Sequence, residues 1–259
     1  MNEQEIRQQI IDACLYLQKT KLIARTWGNV SARLNDHQFI ITPSGLAYEL
    51  TKPEDLVIVN IDDCSYDKEQ RKPSSEKLVH ASCYKNRPDV NFIVHTHQHF
   101  ASAICADESS IKFEDGTFVP CADYGLPSTK KLQQNCEKVF KDFNKSNIFL
   151  MAKHGAITFG DTMQNALNNA QKLEEECEKL FNKRVKEFKV PENMKPYLDD
   201  YAQMFPLLEN EDKEAIELVK NKNAAAMLYA VNSKPLGFID ANLQHLIYKM
   251  KYSKLKSGD

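Results

Sequence analysis

Residues 91–105, NFIVHTHQHFASAIC, run three large apolar side chains straight into a cluster of histidines. Phe92, Ile93 and Val94 in succession read as a strand buried on both faces. Strand side chains alternate between faces, so His95 and His97 project from the same face at the strand's end. Two imidazoles so placed suit one divalent metal ion; a pair of purely structural histidines is the alternative. A third histidine, His154, follows a second apolar run at 148–152, and Glu76 closes the tetrapeptide Pro73-Ser74-Ser75-Glu76 upstream. Three histidines and a carboxylate, all beside expected element ends, make a divalent-metal site the expected centre of the chain.

The rest of the chain supplies a scaffold and a set of turns. Apolar residues at helical spacing (Ile6, Ile10, Ala13, Cys14, Leu17) predict a packing helix over 3–20. Residues 30–34 and 38–42 read as a hairpin joined by Asn35-Asp36, and 56–61 as a third strand. Gly28-Asn29 reads as a turn dipeptide beside Thr26 and Ser31. Such a concavity of backbone N–H groups and short polar side chains binds anions. Thr42-Pro43-Ser44-Gly45 repeats that chemistry. After a charged loop at 62–72, Ser74 or Ser75 is expected to cap a helix running to Asn86, with Leu78, Ser82 and Cys83 inward. Each serine reads either as a cap alone or as an anion donor at a helix N-terminus; three donor turns in one chain favour a phosphate.

His80 lies one helical turn after Glu76, and a packed, hydrogen-bonded histidine is the favoured reading over a metal ligand. His99 is expected at the site's edge, opening a helix to Ala106; His37 and His245 read as surface or packing residues. Residues 108–125 read as irregular with a short strand near 118–121, 130–143 as a helix, and 148–152 and 156–159 as strands around Lys153-His154-Gly155. A long helix from Asp161-Thr162 to Arg184 follows. Pro191 and Pro196 break the chain, and 196–259 is expected to be helical at 197–205, 212–219 and 242–252. The division expected is therefore 1–190 and a helical C-terminal extension, 191–259.

Composition narrows the class. A formal charge of −2 gives no reason to expect nucleic acid or an acidic membrane as partner. No charged-then-apolar leader and no apolar run near the length of a membrane span is seen, so a cytoplasmic protein is expected. The seven cysteines are dispersed, with no C-x-x-C, which favours thiols in a reducing compartment over a disulfide framework.

Five segments, taken in order and spacing, resemble the class II aldolase/adducin family. They are residues 28–33 (GNVSAR), 41–45 (ITPSG), 73–76 (PSSE), 87–97 (RPDVNFIVHTH) and His154-Gly155. The likeness runs from about residue 3 to 185 of this sequence. It implies an α/β fold of the α+β type: a central, mainly antiparallel sheet covered by helices, in a homotetramer with active sites between subunits. His95, His97 and His154 would ligate Zn²⁺ or another divalent ion such as Mn²⁺, Co²⁺ or Fe²⁺. Gly28, Asn29, Ser44, Gly45, Ser74 and Ser75 would cradle the phosphate of a phosphorylated sugar, and Glu76 would be the acid/base. Family aldolases bring a tyrosine from a neighbouring subunit as proton donor. Tyr124, in CADYGLPST, lies in the corresponding general region, and Tyr197, Tyr201, Tyr229 and Tyr248 of the tail are alternatives. The implied activity is reversible cleavage of a (deoxy)ketose 1-phosphate to dihydroxyacetone phosphate and an aldehyde through a metal-stabilised enediolate. The 106–128 loop and the tail would read the aldehyde. Alternatives on the same site are a sugar-phosphate 4-epimerase and a methylthioribulose-1-phosphate-type dehydratase; a non-catalytic adducin-like scaffold is a third. Family scaffolds lack the histidines that this chain keeps, which argues for an enzyme.

Overall fold

The computed structural model describes residues 2–23, 27–106 and 108–187, with side chains to 184. The expected extension at 191–259, its three helices and its four tyrosines, and Thr26 and His245, lie outside the described residues.

Helix α1, Glu3–Lys19, begins where Asn2 and Glu5 cap each other reciprocally, side chain to backbone N–H in both directions. Its 3.6-residue stripe buries Ile6, Ile10, Cys14 and Leu17. Strands β1 (Gly28–Arg33), β2 (Gln38–Ile41) and β3 (Val57–Asn60) follow, then α2 (Lys77–Asn86), β4 (Phe92–Thr96) and α3 (His99–Cys105). Three short strands come next, β5 (Ile111–Lys112), β6 (Phe118–Val119) and β7 (Cys121–Ala122). The described chain ends with α4 (Lys130–Asp142), β8 (Ile148–Met151), β9 (Gly155–Gly160) and α5 (Met163–Glu187).

Seven strands form one sheet in the order β3-β2-β1-β4-β9-β8-β7, antiparallel except for the β7–β8 pair. That parallel pair is bridged by α4, the kind of long crossover a parallel connection requires. Strand alternation divides the core. Val30, Ala32, Ile40, Phe92 and Val94 pack with α1 and α5 on one face. Phe39, Val59, Ile93, Phe149 and Ile157 pack with α2 and α4 on the other. The fold is the mainly antiparallel, helix-covered α/β sheet that the resemblance implied.

Local readings differ in three places. Gly28-Asn29 is not a turn but the first two residues of β1, paired with Thr96 and His95 of β4. Gly28 has φ +126°, and a Cβ there would stand 2.6 Å from the His95 carbonyl oxygen, so the close strand crossing selects glycine. At α2 the N-cap is Glu76 rather than a serine; Ser74 Oγ instead accepts from the Glu76 N–H. Ser82 and Cys83 are buried as expected, but Leu78 is only half-buried, and Val79, His80, Ala81 and Tyr84 join the inner positions. The irregular stretch also holds a small ribbon, β5–β6, beside β7.

All seven cysteines are thiols, five of them buried. No helix among the described residues is long and apolar enough to cross a membrane.

Candidate active site

The central strand delivers the first two histidines. In β4 the register sets His95 opposite Asn29 on one side and Ile157 on the other. Ile93, His95 and then His97 share the sheet face covered by α2 and α4. His154 arrives from the tight turn between β8 and β9, where Lys153 has φ +53°. Gly155 follows because a Cβ there would collide with the Thr96 carbonyl oxygen. The ligating atoms of His95, His97 and His154 lie within 4.8 Å of one another. Glu76, at the head of α2, reaches into this triangle. Its Oε2 is 2.9 Å from His95 Nε2 and its Oε1 is 3.0 Å from His154 Nε2.

This arrangement tests for a metal. His95 donates Nδ1–H to the Ala156 carbonyl at 2.8 Å, so a neutral ring leaves a lone pair on Nε2. That lone pair meets Glu76 Oε2 and, at 3.0 Å, His97 Nε2. Acceptors facing acceptors repel unless positive charge lies among them. Electrostatics agree. Burial works against an ionised Glu76, but His95 and His154 outweigh it and hold its carboxyl well below the usual range. Burial disfavours the imidazolium of His95, yet Glu76 raises its pKa. His97 goes the other way: burial first, then the charges on His95 and His154, push it well below its ordinary value. Glu76 is therefore held anionic among the three rings, a place that favours positive charge. Three converging imidazoles around one buried carboxylate fit a divalent cation. His95 bonded to a backbone carbonyl is the usual way such a ligand is aimed.

The cavity beside this triangle has a volume of about 280 Å³. Gly28, Asn29, Ser44, Gly45, Ser74 and Ser75, far apart in sequence, all line it, together with Glu76, His97 and His154. Two larger surface hollows, of about 520 and 540 Å³, contain no histidine. The smaller cavity is the one where acid/base and ligating groups converge. Trp27, Pro127 and Ser128 complete its wall. Ser128 sits at φ +67°, a left-handed conformation that no residue type in the sequence announced. Pro127 and Ser128 belong to the 106–128 loop expected to shape the pocket.

Tyr124 does not line this chain's own cavity. It is 43 % exposed, and the Lys153 ammonium lies 5.6 Å from its ring centroid. Lys153 is paired with Glu108 at 2.9 Å. His99 remains outside the histidine triangle, on α3. His80 is the packed histidine expected. It is fully buried and bonded through Nδ1 to Ser31 Oγ at 2.6 Å and through Nε2 to Asn29 Oδ1. Asn29 Nδ2 in turn donates to Glu76 Oε2 at 3.3 Å. That link to Glu76 was invisible in the sequence.

Comparison with known proteins places the chain. Residues 8–181 match the family described as Class II Aldolase and Adducin N-terminal domain. L-fuculose phosphate aldolase of Haemophilus influenzae is 36 % identical over 181 residues, 67 % of this chain and 81 % of its own length. A Mycoplasma pneumoniae protein named "Probable L-ribulose-5-phosphate 4-epimerase UlaF" is 34 % identical over 132 residues, 51 % of this chain and 54 % of its own length. The solved structure titled "L-fuculose 1-phosphate aldolase" matches with a TM-score of 0.64 and 26 % identity, covering 73 % of this chain and 92 % of that one.

Proposed function

The chain belongs to the class II aldolase and adducin family, and on that premise we propose that it is a metal-dependent aldolase cleaving a (deoxy)ketose 1-phosphate to dihydroxyacetone phosphate and an aldehyde. One observation carries the reading. A single cavity, lined by Glu76, His97, His154 and six small donor residues, adjoins the point where three imidazoles converge.

His95, His97 and His154 would hold the cation, Zn²⁺ or another divalent ion; when bound, it supplies Lewis-acid polarisation of the substrate carbonyl. The donors at Gly28-Asn29, Ser44-Gly45 and Ser74-Ser75 hold the phosphate through N–H and O–H groups. They fix the sugar so that its reacting carbons lie over Glu76. When C3–C4 breaks, the electron pair stays on C3 and the C4 hydroxyl proton leaves as the aldehyde forms. Glu76, a carboxylate at rest, first takes up a proton equivalent to the one released by the C4 hydroxyl and then moves it to C3, completing dihydroxyacetone phosphate; in synthesis it removes that proton. Burial keeps water from competing for it.

Tyr124 is the residue proposed to handle the C4 hydroxyl proton. Its exposure on this chain, away from its own cavity, supports a role in a neighbouring subunit's site within a homotetramer. Residues 1–190 would form the catalytic domain and 191–259 a helical extension at an interface. A cytoplasmic location, with neither nucleic acid nor membrane as partner, accords with the near-neutral charge and the phosphorylated substrate.

Likeness to a protein named as an epimerase favours the second reading, a sugar-phosphate 4-epimerase. A dehydratase acting on methylthioribulose 1-phosphate is the further variant of the same site. One coupled assay separates them. Metal-loaded protein is offered fuculose, rhamnulose and 5-deoxyribulose 1-phosphates and ribulose phosphates. Release of dihydroxyacetone phosphate is expected. Interconversion of pentulose phosphates with no release would instead establish the epimerase. Turnover of neither kind, with metal bound, would leave the dehydratase or the adducin-like scaffold.

A further inference from the structure

Behind the cavity, five polar side chains form a hydrogen-bonded line into the core: Glu76, Asn29, His80, Ser31 and Tyr84. Each is 8 % exposed or less. The line's direction can be worked out from its two ends. Asn29 Nδ2 donates to Glu76 Oε2 at 3.3 Å, which fixes the direction of the amide at this end. Asn29 Oδ1 then faces His80 Nε2 and requires a donor there. Burial, chiefly, pushes the His80 pKa down to about 3, so the ring is neutral and carries one proton. With that proton on Nε2, Nδ1 accepts from the Ser31 hydroxyl at 2.6 Å. Ser31 Oγ in turn accepts from Tyr84 OH at 2.8 Å, whose phenol burial keeps protonated.

We propose that His80 is a positioning residue: its Nε2–H holds the Asn29 carbonyl oxygen, so that Asn29 presents N–H groups to Glu76 and to an anion in the cavity. One Asn29 N–H is spent on Glu76; the other is left for the anion, because Asn29 itself lines the cavity. If the amide turned over, its oxygen would face both a carboxylate and a phosphate. The chain supplies that discrimination with a neutral ring whose tautomer is set from the far side by Ser31. The inference rests on the proposed phosphate cradle, and it predicts an effect on anion binding rather than on metal binding.

Two near-isosteric variants separate positioning from packing. Glutamine can place an amide N–H where Nε2–H stands, whereas asparagine reaches only the Nδ1 position. Inorganic phosphate is titrated against wild type, His80→Gln and His80→Asn, each metal-loaded, and KM and kcat are taken with the ketose phosphate that is turned over. His80→Asn is expected to weaken phosphate and raise KM by about 10-fold or more, within the range for removing a group that orients a binding residue. kcat should fall less, metal content should stay at the wild-type level, and His80→Gln should recover most of the loss. In parallel, ¹⁵N-histidine spectra of wild type, assigned by the peak missing in His80→Gln, are expected to show His80 as the neutral Nε2–H tautomer. A Nδ1–H tautomer or an imidazolium would overturn the inference. So would equal phosphate affinities in all three proteins, measurable or absent. Should no ketose phosphate be cleaved, the aldolase reading falls while the phosphate and tautomer results still judge His80.

Discussion

Two buried polar clusters lie side by side on the same face of the sheet, and they differ in how complete they are. Around His80, both ring nitrogens are matched, donor to acceptor, by Asn29 and Ser31, and Ser31 by Tyr84. Around His154, Nδ1 is buried with no hydrogen-bond partner among the described residues, and the Nε2 atoms of three rings point toward one another and toward Glu76. A closed network needs nothing from outside, and orders whatever touches it. An open one, with lone pairs converging, stores an electrostatic demand that a cation meets. Two polar clusters that meet at Glu76 thus do opposite work: one receives a ligand and the other aims a side chain at it.

The contrast can be broken most forcefully at the open cluster. His95→Ala removes the central donor and is expected to abolish stoichiometric metal binding. Turnover should fall by well over the about 100-fold typical of losing a mere supporting group; metal analysis alongside the coupled assay checks both. Loss of activity with full metal retained would show the triangle not to be the metal site.

Next comes Glu76→Gln. It keeps the shape but not the charge or the proton-carrying capacity, so metal should remain while turnover drops about 10²- to 10⁴-fold. Equal loss of metal would make Glu76 chiefly a ligand. The smallest effect is expected in the closed cluster. Tyr84→Phe removes the last donor of the line, yet Ser31 can still donate to His80. A stability loss of about 1 kcal/mol is expected in urea unfolding, with metal content and KM unchanged. A large rise in KM would mean that the line is held from its deep end.

How much of this was legible follows from range in sequence. The site's ligands were readable because strand alternation and a burst of apolar residues are local signals: 92–94 predicted a buried strand and put His95 and His97 on one face. Gly28-Asn29 was misread as a turn because its conformation is decided by pairing with β4, more than sixty residues away. The serine cap failed because Ser74 spends its hydroxyl on the Glu76 N–H and leaves Glu76 itself at the cap. Asn29 and Glu76 are 47 positions apart, and only the folded register brings the amide onto the carboxylate. Ser128 carries no sequence signal for its left-handed backbone.

The central claim is that the open histidine cluster is a metal centre serving the adjoining cavity. The most direct test is the divalent-metal content per chain of wild type and His154→Ala, purified identically and dialysed against metal-free buffer. The account predicts about one ion per wild-type chain, as expected for a three-histidine site, and loss of that ion in the variant. Substoichiometric metal in both, or the same full complement in both, would contradict it.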